Sequence, residues 1–350
     1  MKNLHIGIFR LSAIGDLALC AAMVEPLHHA YPDAKITWIT SPSGYALLKG
    51  LPHVSFVVID KIKSLHSLAS TYGKLQPLRF DVLLCAQASL SANLIYPMIR
   101  AKRKIGFDEI RAKDGHRHVI NESIAFERQH LLDGFLALAQ KIGRETIEFK
   151  GWRLAETIKE PQFIETLRQL SPPGSPLIAI NLAASKAERN WPAHLYIHLI
   201  KCISAHSDAN ILLVGGQQQL ELAAANKITQ QCDNVINMVG KTSLKQLAAL
   251  LANSSCLVSP DSGPVHIAVA MGTPVIGLYA VARSELSGPY LHRELCIDAY
   301  EQAARVLQNQ QKSELDWHHR IHDKRAMLFI SVDEVFRKLQ PFLLTETCPI

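Results

Sequence analysis

No CxxC pair occurs among the seven cysteines, which stand singly at Cys20, Cys85, Cys202, Cys232, Cys256, Cys296 and Cys348. That spacing argues against a zinc cluster and against a disulfide framework, and a reducing cytoplasm suits it. A long basic run is also missing: Lys plus Arg (37) exceeds Asp plus Glu (31) only moderately. An anionic small ligand or an anionic surface fits such a balance better than a dedicated nucleic-acid groove. The start of the chain offers one Lys and a short apolar run broken by Arg10, too little for a signal peptide, so export is not expected. One uncharged run long enough to raise the question of a membrane span, Ser262 to Ala282, is interrupted by Gly263, Pro264, His266, Gly272, Pro274 and Gly277. It reads as a buried helix, a turn and a buried strand. The sixteen histidines show no zinc-like pairing; "HRHV" (116 to 119) and "WHHRIH" (317 to 322) read as solvated faces, and no metal is expected.

What is present is enough for two cores. The chain has 350 residues, 48% hydrophobic and 19% charged, which places it among globular proteins with room for two domains. The halves repeat one grammar. "LHIGIFR" (4 to 10) is a strand, Leu17 to Ala30 a helix and "KITWIT" (35 to 40) a strand; later "PLIAINL" (176 to 182), a helix from Pro192 to His206 and "ANILLVGG" (209 to 216) do the same. Further strands are expected at 54 to 60, 80 to 86, 103 to 107, 235 to 239, 255 to 259 and 274 to 279. Near-continuous apolar strands in βαβ units belong to parallel sheets covered on both faces. The cluster "SPPGSP" (171 to 176) is the natural linker, giving domains at 1–172 and 173–330, with a helix inside 331–350 that can pack back on the first. Two such sheets imply a ligand cleft, with chemistry in the loops that follow strands.

Three loops carry that chemistry. "RLSAIGD" (10 to 16) is neither Gly-x-Gly-x-x-Gly nor a Walker run, and it sets Asp16 at a helix mouth, where a carboxylate can serve simply as a cap. "NLAASKAERNWP" (181 to 192) holds Lys186 and Arg189, two cations able to neutralise a phosphate, with Pro192 at the first helical position. In "SPDSGPVHIAVAMGTPVIGLY" (259 to 279), Asp261, Ser262 and Gly263 open a helix whose free N–H groups make an anion site, and His266 lies one turn in.

These three stretches, in this order and with "LLVGG" between the last two, resemble the heptosyltransferases of glycosyltransferase family nine over roughly residues 4 to 290. The resemblance implies an α/β chain of GT-B architecture, two facing Rossmann-like domains with an interdomain cleft, acceptor on the first and nucleotide-sugar donor on the second. It implies a cytoplasmic, metal-independent, inverting enzyme without cofactor that moves heptose from ADP-heptose to the lipid-linked inner core of lipopolysaccharide, with peripheral attachment to the inner membrane. Asp16 then becomes the general base. Lys186, Arg189, Asp261, Ser262, Gly263 and His266 fall to the donor, and Glu221, or Gln219, to its ribose. Ser12, Gly15, Lys61, Lys63 and Arg111, with Lys113 beside it, fall to the acceptor side. Two other readings stand beside this one: a GT-B transferase or epimerase using a UDP- or GDP-sugar, and a binding protein without chemistry, against which the presence of Asp16 counts.

Overall fold

The computed structural model describes residues 4–112, 114–170 and 175–344, so Lys113, residues 171–174 of the expected linker and Cys348 lie outside the described residues. The chain divides into two compact units, Met1–Thr157 and Ile158–Ile350. The boundary therefore precedes the Pro-rich stretch, and the helix Pro161–Leu170 belongs to the second unit.

In the first unit, strands β1 (His5–Phe9), β2 (Lys35–Thr40), β3 (Val54–Val58), β4 (Arg79–Leu84), β5 (Arg100–Gly106) and β6 (Glu122–Ser123) form one sheet in the order β3-β2-β1-β4-β5-β6. The second unit repeats the plan. Strands β7 (Leu177–Asn181), β8 (Asn210–Val214), β9 (Val235–Asn237), β10 (Cys256–Pro260), β11 (Val275–Tyr279) and β12 (Ile297–Asp298) run in the order β12-β11-β10-β7-β8-β9. Every pairing is parallel. The strands are apolar because helices cover both faces: β7, β10 and β11 are buried at every position, and β2 at every position but Lys35. Trp38 anchors one core and Trp191 the other, both almost wholly enclosed.

The strand order reverses between β1 and β4 in one sheet and between β7 and β10 in the other. At such a point the loops leaving adjacent strands turn to opposite faces and open a crevice at the carboxyl ends.

Several elements differ from the sequence reading. The first helix begins at Ile14, not Leu17, so Gly15 and Asp16 stand in its first turn and not in the loop. It ends at Ala21 and a second helix runs Val24–Ala30, because Pro26 has no N–H for the Ala22 carbonyl one turn earlier. Pro192 is the N-cap of Ala193–His206 and not its first residue. The short strands β6 and β12 were not anticipated. The stretch Ser262 to Ala282 does separate into the helix Gly263–Ala270 and β11, and among the described residues no helix is long and apolar enough to cross a membrane. The terminal helix Val332–Leu339, expected to return to the first domain, is part of the second unit, where Val335 and Leu339 join the core and Phe336 meets His206.

Candidate active site

In the first unit the reversal brings the loop after β1 against the loop after β4. The Gln87 side-chain oxygen accepts from the Leu11 N–H (2.8 Å) and the Ser12 N–H (3.3 Å), and Gln87 is itself held by Tyr96, whose hydroxyl donates to the Gln87 carbonyl at 2.7 Å. Ser41 Oγ donates to the Leu11 carbonyl (2.6 Å) and the Trp38 ring N–H to that of Arg10 (3.2 Å), fixing the loop from the β2 side. The Arg10 guanidinium lies over the Phe135 ring and donates to the Ala86 carbonyl and to Asp16 Oδ2. That same Oδ2 accepts the Ala13 N–H at 3.3 Å, the carboxylate half of a capping box. Asp16 is thus a cap as well as an ion-pair partner. Both of its bonds use Oδ2; Oδ1 has no partner among the described residues, and the side chain keeps 28% of its surface open.

In the second unit the loops after β7 and β10 meet in the same way. Asn181 ends the buried β7, and its Nδ2 donates to the Ala183 carbonyl, to Ser259 Oγ (both 3.0 Å) and to Ser262 Oγ (2.9 Å). Ser262 is the N-cap of Gly263–Ala270, but its hydroxyl is taken up by Asn181 and Ser259 and makes no capping bond. The first N–H groups of this helix are therefore left without a side-chain cap from Ser262, as an anion site requires. Beside it Arg189 reaches Asp261 at 3.0 Å, with 12% and 11% of the two side chains exposed. An anion next to an anion site is tolerated here because Arg189 neutralises it. His266 is buried, and Lys186 is exposed at the start of the short 3-10 turn Ala187–Arg189.

Of the other expected residues, only Ser12 and Gly15 belong to these two clusters. Glu221 is buried against Gly215 and Gly216, and accepts the Gln218 N–H at 3.1 Å, so it caps the helix Gln219–Thr229 while Gln219 is exposed. Arg111 is a strut: it donates to Asp108 and to the Ala125 carbonyl (2.6 Å) and lies over Phe107 and Phe126, partners that account for it without a ligand. Lys61 and Lys63 are exposed in the loop after β3, with no ion pair among the described residues. Gly15 is buried in the first helical turn and Ser12 exposed beside it.

Sequence reasoning missed Arg10, Gln87, Asn181 and Ser259. The signal was available in part: a polar residue closing a fully apolar strand, as Asn181 closes "LIAIN", needs a partner. The two histidine clusters are not simply solvated faces. His116 is buried against Tyr96 with Nδ1 on Asn93 Oδ1 (2.8 Å), and burial lowers its pKa to about 4. His319 Nδ1 meets the Tyr300 hydroxyl at 2.8 Å, and His322 Nδ1 lies 3.3 Å from Glu188 in the loop that carries Arg189. Among the described residues no three His, Cys, Asp or Glu side chains gather as a metal would need.

The family model for glycosyltransferase family 9 (heptosyltransferase) matches residues 69–318. The chain is 33% identical over 335 residues to the lipopolysaccharide core heptosyltransferase OpsX of Haemophilus influenzae, covering 95% of each. Among solved structures, the glycosyl transferase family 9 protein of Veillonella parvula matches with a TM-score of 0.78 at 19% identity over 97% of both chains. The ADP-heptose lps heptosyltransferase II of E. coli matches with a TM-score of 0.71 at 19% identity over 97% of this chain and 98% of that one. These structural likenesses show the fold, an α/β chain of GT-B architecture.

Proposed function

The chain belongs to glycosyltransferase family 9 (heptosyltransferase) and is a glycosyltransferase of lipopolysaccharide core biosynthesis; from that premise we propose a single-displacement transfer of heptose from ADP-heptose to a lipid-linked core acceptor, with Asp16 as the base. The acceptor hydroxyl oxygen bonds to the anomeric carbon as the bond from that carbon to the β-phosphate oxygen breaks. ADP leaves with the electron pair, Asp16 takes the hydroxyl proton, and the anomeric configuration inverts. A sugar hydroxyl is a poor nucleophile at neutral pH, so a carboxylate within hydrogen-bond reach contributes roughly 10²–10⁴-fold.

The observation that carries the reading is the split use of Asp16. Arg10 and the Ala13 N–H hold Oδ2, which fixes the carboxylate and leaves Oδ1 for the acceptor proton. On the donor side, charge developing on the leaving β-phosphate is met by the opening N–H groups of the helix Gly263–Ala270, by Arg189 and by Lys186. Glu221, at the Gly215–Gly216 loop, is assigned to the ribose. No metal or cofactor is assigned. The enzyme works at the cytoplasmic face of the inner membrane, where a lipid-linked acceptor is met, and associates with it peripherally.

The test is Asp16→Asn with ADP-heptose and a core acceptor. Turnover falls at least a hundredfold while ADP binding, measured by calorimetry, stays within twofold; a variant that turns over normally removes Asp16 from the base role.

A further inference from the structure

The second unit carries a two-helix face that borders the donor loop and whose exposed lysines and leucines the chemistry above leaves unused. The helices Ala193–His206 and Gln219–Thr229 both follow their strands on the side of the sheet reached by the β7-to-β8-to-β9 crossovers. Along both, the only carboxylate is Glu221, and that one is buried as a cap. The groove between them holds two hollows in succession. The first, about 430 Å³, has an apolar lining that includes Leu182, Trp191, Pro192, Ala224 and Leu328; Lys324 and Arg325 also line it, as do Ala187 and Asn190 of the loop that carries Lys186 and Arg189. The second, about 410 Å³, lies one turn further along and is lined by His194, His198, Lys201 and Lys227, with Ile197 and Gln231. Leu220 and Leu328 stand out of this face with 61% and 55% of their surface exposed. Lys201, Lys227 and Lys324 make no ion pair among the described residues, whereas Arg325 is held by Asp323 at 2.6 Å.

Large aliphatic side chains that protrude beside unpaired lysines, with no exposed carboxylate on either helix, are the composition of a surface that lies on anionic lipid. A core-forming role is ruled out by the exposure of the leucines, and an ordinary solvated face is expected to mix charges of both signs. We propose that this face, with the 3-10 segment Lys324–Phe329, docks the enzyme on an anionic bilayer: lipid phosphates sit on the lysine hollow, and Leu220 and Leu328 enter the interface beside the apolar one. The proposal rests on the lipid-linked acceptor of the preceding reading for its purpose, and on the composition of the face for its location. A salt-dependent attachment follows, because the lysines act through screened charge while the leucines do not.

Co-sedimentation of the full chain with vesicles of phosphatidylcholine alone, and of phosphatidylcholine mixed with phosphatidylglycerol, tests it. The wild type partitions onto the mixed vesicles and little onto the neutral ones, and added salt weakens binding. Lys201→Gln and Lys227→Gln each lower partitioning about fivefold, and Leu220→Ser with Leu328→Ser lowers it about tenfold. All four substitutions leave transfer to a water-soluble, deacylated core acceptor unchanged, which shows that fold and site are intact. Equal binding to both vesicle types, mixed-vesicle binding that ignores all these substitutions, or failure of the wild type to bind the mixed vesicles at low salt overturns the proposal. If vesicle binding follows the prediction but no heptose transfer is found with any acceptor, the docking face stands and the functional reading falls.

Discussion

Asp261 and Arg189 show what a single pair of residues decides. Each side chain is nearly nine-tenths enclosed, and each is the other's counter-ion at 3.0 Å. Removing one partner leaves the other charge buried, which costs about 3–5 kcal/mol, whereas removing both is often close to neutral. Urea unfolding of Arg189→Met, Asp261→Asn and the double variant is therefore expected to give a double-variant loss clearly smaller than the sum of the singles. The same Arg189→Met weakens ADP binding roughly ten- to a hundredfold, the worth of a charge-assisted contact, as calorimetry on the folded variant will read. A second residue governs pH. Burial favours neutral His116 in the fold, with a pKa of about 4, against about 6.5 in the unfolded chain. Above that unfolded value both states are neutral and the full stability is present. As pH falls through it the unfolded chain takes up the proton first, and stability is lost down to about pH 4, by on the order of 3 kcal/mol. Melting temperatures of the wild type should drop across that window, and those of His116→Gln should drop less.

At the scale of elements, the site is made where two strands part. Gln87 after β4 holds the backbone of the loop after β1, and Asn181 at the end of β7 holds the loop after β10; both are side-chain bonds across a reversal of strand order. Replacing Gln87 by Ala frees the Leu11 and Ser12 N–H groups and loosens the approach to Asp16. We expect kcat to fall about tenfold or more, as misplaced catalytic groups do, with ADP affinity unchanged because that ligand is assigned to the other unit. Equal kcat would show that the loop holds its form without this bond. The sequence placed the strands well, since four to six apolar residues between turns have few alternatives. It misplaced the first helix, because Asp16 looked like a loop residue until its bond to the Ala13 N–H put it at the third helical position.

For the whole molecule, a ligand confined to one unit is a test of assignment. ADP at about a hundred times its dissociation constant should stabilise the folded chain by roughly 2.7 kcal/mol, seen as a rise in melting temperature, with UDP and GDP well behind. Hydrogen exchange should place the added protection in loops 183–190 and 261–266, and protection centred in the first unit would reverse the donor assignment. The sequence by itself determined the doubly wound plan of each unit, the loops that follow β1, β7 and β10, and the family, because strand apolarity, turn residues and motif order are local properties. Only the tertiary structure decided which side chains share a site. Arg10 with Asp16, Gln87 with Leu11, Asn181 with Ser262 and Arg189 with Asp261 are partners across six to eighty-one positions of chain. Such distances are closed by strand order and burial, which no local pattern records.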